Sequence, residues 1–200
     1  SADGKVVEVE SGSDAKGGQV MHDAATGDVE YFPVPNRAWQ HVKNALTEFG
    51  GPVGTIKKCV ADRAPEFRKA LLDLNIAPFG STPGRSTSNA RAERANRTVL
   101  EVTRPNIEQS GLSLTWVSLA AKHGLMTRRC NKTNAAGRTI YDMKHPGVRK
   151  PPDRAFGSAL TFKPTKAFDN KSKAAPRGRR GILVGFSTCP GGAWTGDYMV

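Results

Sequence analysis

The sequence predicts an α/β protein: a mixed sheet with helices on both faces, followed by a small basic β-rich segment. Three observations carry that expectation. Strand-type runs and helix-type periods alternate through residues 1–128, in the order hairpin, helix, strand, short helix, strand, long helix, helix. Turn chemistry at Thr26-Gly27-Asp28 joins two of the strands directly. Past residue 128 the periodicity stops and the charge changes. Residues 1–127 hold 15 Lys and Arg against 14 Asp and Glu, whereas residues 128–200 hold 15 against 4, so almost all of the net +12 lies in the last third.

Taken in order, Val6 to Val9 is a short β-type run ahead of a Gly/Ser loop. Gln19–His22 and Val29–Val34 are the hairpin strands, and Pro33 and Pro35 end the second. Asn36 is placed to cap a helix whose apolar face is Trp39, Val42, Leu46 and Phe49, spaced three, four and three. Gly50-Gly51 stops it. Ile56–Ala61 is the next strand. After Pro65 a short helix, about Glu66–Leu74, buries Phe67, Ala70, Leu71 and Leu74, and Ile76–Phe79 is a short strand. Ser88 or Asn89 caps a long helix with Ala92, Ala95, Val99 and Val102 inward. Pro105 should kink or end that helix, because proline lacks the N–H and clashes with the previous turn. Gly111 closes the segment, and Ser113 caps a helix over Leu114–Arg128 with Trp116, Leu119, Ala120 and Met126 inward. Residues 131–153 read as a linker or irregular wrap. Ala159–Phe162 and Ile182–Phe186 are strand-like, and Phe168–Arg180 is a polar, basic connection. Pro190-Gly191-Gly192 turns the chain toward a last strand, Tyr198–Val200.

A composition of 38% hydrophobic and 24% charged residues fits a folded chain, with length for one mid-sized domain and a small appendage. No run approaches the ~20 apolar residues of a membrane-spanning helix, and no signal-peptide pattern opens the chain. The first residue is not Met, which suggests a piece of something longer. Cys59, Cys130 and Cys189 are scattered and odd in number, which points to a reducing, intracellular setting. The four histidines lack zinc-ligand spacing. The basic last third suits a segment laid against phosphates, or equally a solvated surface.

The chemistry centres on residues 81–112. Between the apolar positions of the long helix stand Arg91, Arg94, Arg97 and Arg104, with one early carboxylate, Glu93. Alone, Glu93 would favour the helix N-terminus and pair with Arg97 one turn on. Asp62 changes its meaning. It stands where the Ile56–Ala61 strand ends, and a strand-end acid followed by a helix-start acid is a common way to converge carboxylates on a metal. Alone, Asp62 is also ordinary turn chemistry. The two are separated by 30 residues. The words D-x-x-x-E-F, then S-T-P-G-R-x-x-x-N-x-x-x-E-R-x-N-R, E-x-T-R and E-Q-S-G-L resemble the catalytic core of retrotransposon integrases, most closely the copia type. Later, F-G-x-x-x-x-F-K-P, G-I-L-V-G-F and P-G-G-x-W-x-G-x-Y-x-V resemble the segment after the copia-type core.

The resemblance implies a ribonuclease-H-like core over residues 1–128 with its first strand truncated, a linker over 129–155 and a β-rich basic segment over 156–200. It implies DNA strand transfer at a D,D,E site using two divalent ions, Mg2+ or Mn2+. Asp62 and Glu93 take the second and third acidic positions. Asp3, 20 residues before Asp23 of the D-x-x-T-G word, is the candidate first acid. Asp14 is the alternative, and Asp3 equally reads as a solvated terminal residue. Asn89, Glu93 and Arg97 share a helix face, so Asn89 and Arg97 could touch a DNA end. Arg94, with Arg91, could meet phosphate or keep the helix soluble. Lys171, Lys173, Arg177, Arg179 and Arg180 suit backbone contacts, or a solvated loop. Trp194 and Tyr198 could stack on bases, but at this spacing in a β-segment they read as core. DNA is the implied partner, with self-association, no membrane, and the nucleus or cytoplasm as location. Arg63-Ala64-Pro65 and Pro105 depart from the family pattern. Two rival functions stand beside strand transfer: an inactive nucleic-acid-binding remnant, and a ribonuclease H-type nuclease.

Overall fold

The computed structural model describes residues 5–11, 18–36, 38–51, 56–61, 64–80, 86–163 and 178–200. Its centre is a five-stranded sheet. Strands β1 (Lys5–Ser11), β2 (Gly18–Asp23) and β3 (Asp28–Pro33) run antiparallel, joined where expected at the Thr26-Gly27 turn. Strands β4 (Ile56–Ala61) and β5 (Ala77–Gly80) add in parallel beside β1, giving the order β3-β2-β1-β4-β5. Parallel neighbours need crossovers, and helices α1 (Trp39–Gly50) and α2 (Pro65–Asp73) lie on them. The expected run at Val6–Val9 is therefore the central strand, bonded on both sides.

Side-chain alternation sorts the core into two layers. Met21, Phe32 and Cys59 face α1 and α2, where they meet Val42, Leu46, Phe49, Phe67 and Leu71. Val20 and Val29 face the opposite side, against Ala95, Val99, Ala121 and Leu125. Those last four belong to α3 (Ser86–Ser110) and α4 (Val117–Asn131).

Several element ends differ from expectation for local reasons. Asn36 does not cap α1, which starts at Trp39 after Ala38. Its Oδ1 instead accepts the Ala38 N–H at 3.0 Å, an Asx-type turn ahead of the helix. Helix α3 starts at Ser86, so Ser88 and Asn89 lie within its first turn rather than before it. Pro105 does not end α3, which continues to Ser110. Pro105 sits on the exposed side, where water can serve the carbonyl it leaves unbonded. Leu114–Trp116 forms a 3-10 turn, so α4 begins three residues later than expected and runs on to Asn131.

Within the stretch expected as linker or irregular wrap, Ile140–Lys144 forms α5. The Thr139 hydroxyl accepts the Asp142 N–H, and the Asp142 carboxylate accepts the Thr139 N–H, so a capping box fixes its start. Five residues are too few to show a helical period. The last third contains β6 (Ala159–Phe162) paired with β7 (Arg179–Ile182), and β8 (Gly185–Thr188) paired with β9 (Trp194–Met199). The single expected strand Ile182–Phe186 is thus divided between two sheets. The last strand starts at Trp194 rather than Tyr198.

This C-terminal structure packs on the core. Trp194 and Phe186 bury against Met126 and Tyr141, and Val184 and Phe156 against Ala120. The Tyr141 hydroxyl accepts the Trp194 N–H at 3.0 Å and donates to the Arg149 carbonyl at 3.0 Å. Gly191 donates its N–H to the Glu48 carbonyl of α1 at 2.6 Å. Gly192 has φ +85°, and a Cβ there would lie 2.2 Å from the Arg129 guanidinium, so glycine answers both backbone and space.

Candidate functional site

The parallel pair β1 and β4 ends on one edge of the sheet. Val9 of β1 is in register with Ala61, the last residue of β4. Glu10 follows Val9 in sequence, and Asp62 follows Ala61. Asp62, Asp3 and Asp14 lie outside the described residues. The acids on β1 itself are Glu8 and Glu10, in register with His22 and Val20 of β2. Val20 carries its side chain to the α3 layer. Sequence reasoning looked for an aspartate and passed over both glutamates. The signal that finds them is the strand register, not a residue type.

Helix α3 crosses the same side of the sheet, in contact with β1, β2 and β3. Ala95, Val99 and Thr103 are its buried stripe. The Thr103 hydroxyl donates to the Val99 carbonyl at 2.6 Å, which disposes of its polar group. Glu93 and Arg97 are exposed, one turn apart, and Leu100 beyond them is 51% exposed. Asn89 lies on α3 one turn before Glu93. Arg91 and Arg94 line a groove beside the β2–β3 turn. Arg180 and Arg179 stand on β7, opposite Thr161 and Phe162. Lys171, Lys173 and Arg177 lie outside the described residues. Trp194 is core, its indole N–H donating to the Asp197 carbonyl at 2.8 Å, while Tyr198 stays 40% exposed. Among the described residues, no group of three His, Cys, Asp or Glu is close enough to hold a metal ion.

The hairpin carries acids of another kind. Asp23 is buried, and its carboxylate accepts the Ala25 N–H at 3.1 Å and the Thr26 hydroxyl at 2.7 Å. It shapes the turn. Asp28 is buried between two cations: Arg129 Nε donates to Oδ1 at 2.8 Å, and Lys144 Nζ to Oδ2. Arg129 reaches further, to Glu30 at 2.8 Å and to the Gly192 carbonyl at 3.1 Å. Burial alone would raise the Asp28 pKa, but Arg129 and Lys144 outweigh it and hold it at about 2. Burial would lower the Arg129 pKa, yet Asp28 and Glu30 drive it upward. Sequence reasoning missed this cluster, because Arg129 lies 101 positions from Asp28 in the chain and Lys144 lies 116.

No protein-family model matches the chain, and no curated protein matches it. Solved structures do. The catalytic core domain of BIV integrase matches with a TM-score of 0.54 and 17% identity, over 69% of this chain and 91% of that one. The HTLV-2 integrase catalytic core domain in complex with magnesium, in a trimeric form, matches at 0.53 and 15% identity, over 70% and 95%. The simian T-cell lymphotropic virus intasome in complex with PP2A regulatory subunit B56 gamma matches at 0.58 and 15% identity, over 89% and 67%. At these identities the likeness is one of fold. The chain has the ribonuclease-H-like α/β fold of retroviral integrase catalytic cores.

Proposed function

We propose that this chain is the integrase region of a copia-type retrotransposon polyprotein, acting in metal-dependent DNA strand transfer. The observation that supports the reading is the parallel register of β1 and β4, which brings the C-terminal ends of these two strands side by side, with α3 packed across the sheet. Asp62 directly follows the last residue of β4, Glu93 is exposed near the start of α3, and Glu10 directly follows the register partner of Ala61. The register adds Glu10 of β1 as a further candidate for the strand acid beside Asp3 and Asp14. The motif words around residues 62–112 support the copia assignment.

Carboxylate oxygens are the donors hard divalent cations prefer, so Glu10, Asp62 and Glu93 fit Mg2+ or Mn2+. Such ions would supply activation of the attacking oxygen and charge stabilisation at the leaving one. The chain's own part is to bind and orient. Arg97, one turn from Glu93, offers a guanidinium fork to a phosphodiester near the carboxylates. Asn89, one turn earlier, offers an amide to the same DNA end.

The test is strand transfer with a short duplex, in Mg2+ and then Mn2+. Glu93→Gln should cut the rate by about 100-fold or more, since even supporting residues around metals cost ~10–100-fold. Duplex binding should persist in that variant. A wild-type rate in Glu93→Gln would remove the carboxylate reading. Binding without joining in the wild-type chain would select the inactive nucleic-acid-binding remnant.

A further inference from the structure

A second feature of α3 points away from the acids. At 100° per residue, Arg91 and Glu93 project about 160° apart around the helix. Arg91 and Arg94 line a groove of about 370 Å3 whose far wall is the C-terminal end of α4, with Arg128 and Lys132. His22 of β2 also lines it, and Val29 and Ala95 contribute apolar surface. Four permanent cations from two separate segments converge here, and among the described residues no carboxylate lines the groove. A solvated basic face would instead be convex and interspersed with acids.

Arg128 meets a neutral partner at the groove. Its Nη1 donates to the Gly27 carbonyl at 3.3 Å, a neutral partner. Burial lowers its pKa, and the neighbouring Arg129 adds to that. Asp28 and Glu101 act the other way. Asp28, however, is already bonded by Arg129 and Lys144, and Glu101 is exposed to water. An anion in the groove would relieve the repulsion among its cations.

We infer that this groove, formed by Arg91, Arg94, Arg128 and Lys132, holds a sugar–phosphate segment of duplex DNA, on the shoulder of α3 opposite Glu93. The apolar floor suits a deoxyribose, and the arginines suit the phosphates on either side. The contact positions the duplex without reading bases. It needs no strand-transfer chemistry and stands or falls apart from it.

The experiment is a salt titration of binding to a short mixed-sequence duplex by the full chain. Each lost phosphate contact should reduce the log–log salt slope by about 0.9. Arg94→Ala with Lys132→Ala, both at exposed positions, should therefore flatten the slope by about 2. Arg68→Ala with Lys69→Ala on α2 removes the same charge from elsewhere and should leave the slope near the parent value. Lys132→Glu reads the same wall from one exposed side chain and should weaken binding at least tenfold at low salt. Parent-like slopes in the groove variants, or equal losses in the α2 control, would overturn the inference. Strand-transfer loss in Glu93→Gln with an unchanged binding slope would leave it intact.

Discussion

Asp28 and Glu93 are both acids placed among cations, yet they are built for opposite ends. Asp28 is 1% exposed, held from two sides by Arg129 and Lys144. Glu93 is exposed on a helix shoulder. A buried carboxylate with fixed partners cannot exchange them for a ligand without stranding a buried cation. An exposed carboxylate exchanges only water. The difference separates the two: paired and buried acids tie the hairpin to α4, α5 and the C-terminal turn, while an exposed acid on α3 keeps its contact with water.

Removing the hub of the buried cluster is the strongest way to break that comparison. Arg129 bonds Asp28, Glu30 and the Gly192 carbonyl, so Arg129→Ala takes a partner from two carboxylates at once and leaves Asp28 to Lys144 alone. The expected loss is about 3–5 kcal/mol, seen as a lower urea midpoint. A loss under ~1 kcal/mol, the scale of exposed pairs, would mean the cluster does not hold the fold.

Acid offers a gentler probe of the same group. The Asp28 pKa lies at about 2, below its ordinary 3.8. A depressed carboxylate contributes stability that is fully present above its unfolded pKa and is lost as pH falls through the folded one. Stability should therefore drop between about pH 4 and pH 2, by ~2 kcal/mol from this group. Asp28→Asn should lack that component, which acid titration of the unfolding midpoint would detect.

The smallest effect concerns His123. It is buried, stacked on Phe186 at 5.0 Å between ring centroids and edge-on to Phe156 at 5.6 Å. Burial lowers its pKa below 6.5, and the Arg154 backbone and Asp153 only partly offset this. The unfolded chain then holds the proton more tightly, so stability is full above pH 6.5 and declines below it. His123→Phe should flatten melting temperature against pH in that range. An unchanged slope would mean His123 is not the group that titrates.

The sequence was most legible where local periodicity matched the tertiary role. The three-four-three spacing of Trp39, Val42, Leu46 and Phe49 identified α1, and Thr26-Gly27 identified the hairpin turn. Local chemistry misled where tertiary packing intervened. Pro105 read as a kink or an end of the helix, and it is not the end: α3 continues to Ser110, packed on the sheet and α4. Helix α5 was too short for periodicity, and only Thr139 with Asp142 marked it. Of the proposed site, Glu93 stood out as the one early acid in a basic helix, whereas Glu10 is brought to notice only by its place after Val9 in the register of β1 with β4. Arg128 and Lys132 gave no sign in one dimension of facing Arg91 and Arg94.

The most direct measurement places two amide substitutions side by side. Asp28→Asn and Glu93→Gln each remove one charge and keep the shape. Thermal unfolding and strand transfer on a short duplex are read for both, with joining assayed well below either melting point. The expected result is a crossed pair: Asp28→Asn melts lower and still joins DNA, while Glu93→Gln melts like the parent and does not. Joining by Glu93→Gln at the parent rate, or its loss in a fully folded Asp28→Asn, would contradict the division between scaffold and site.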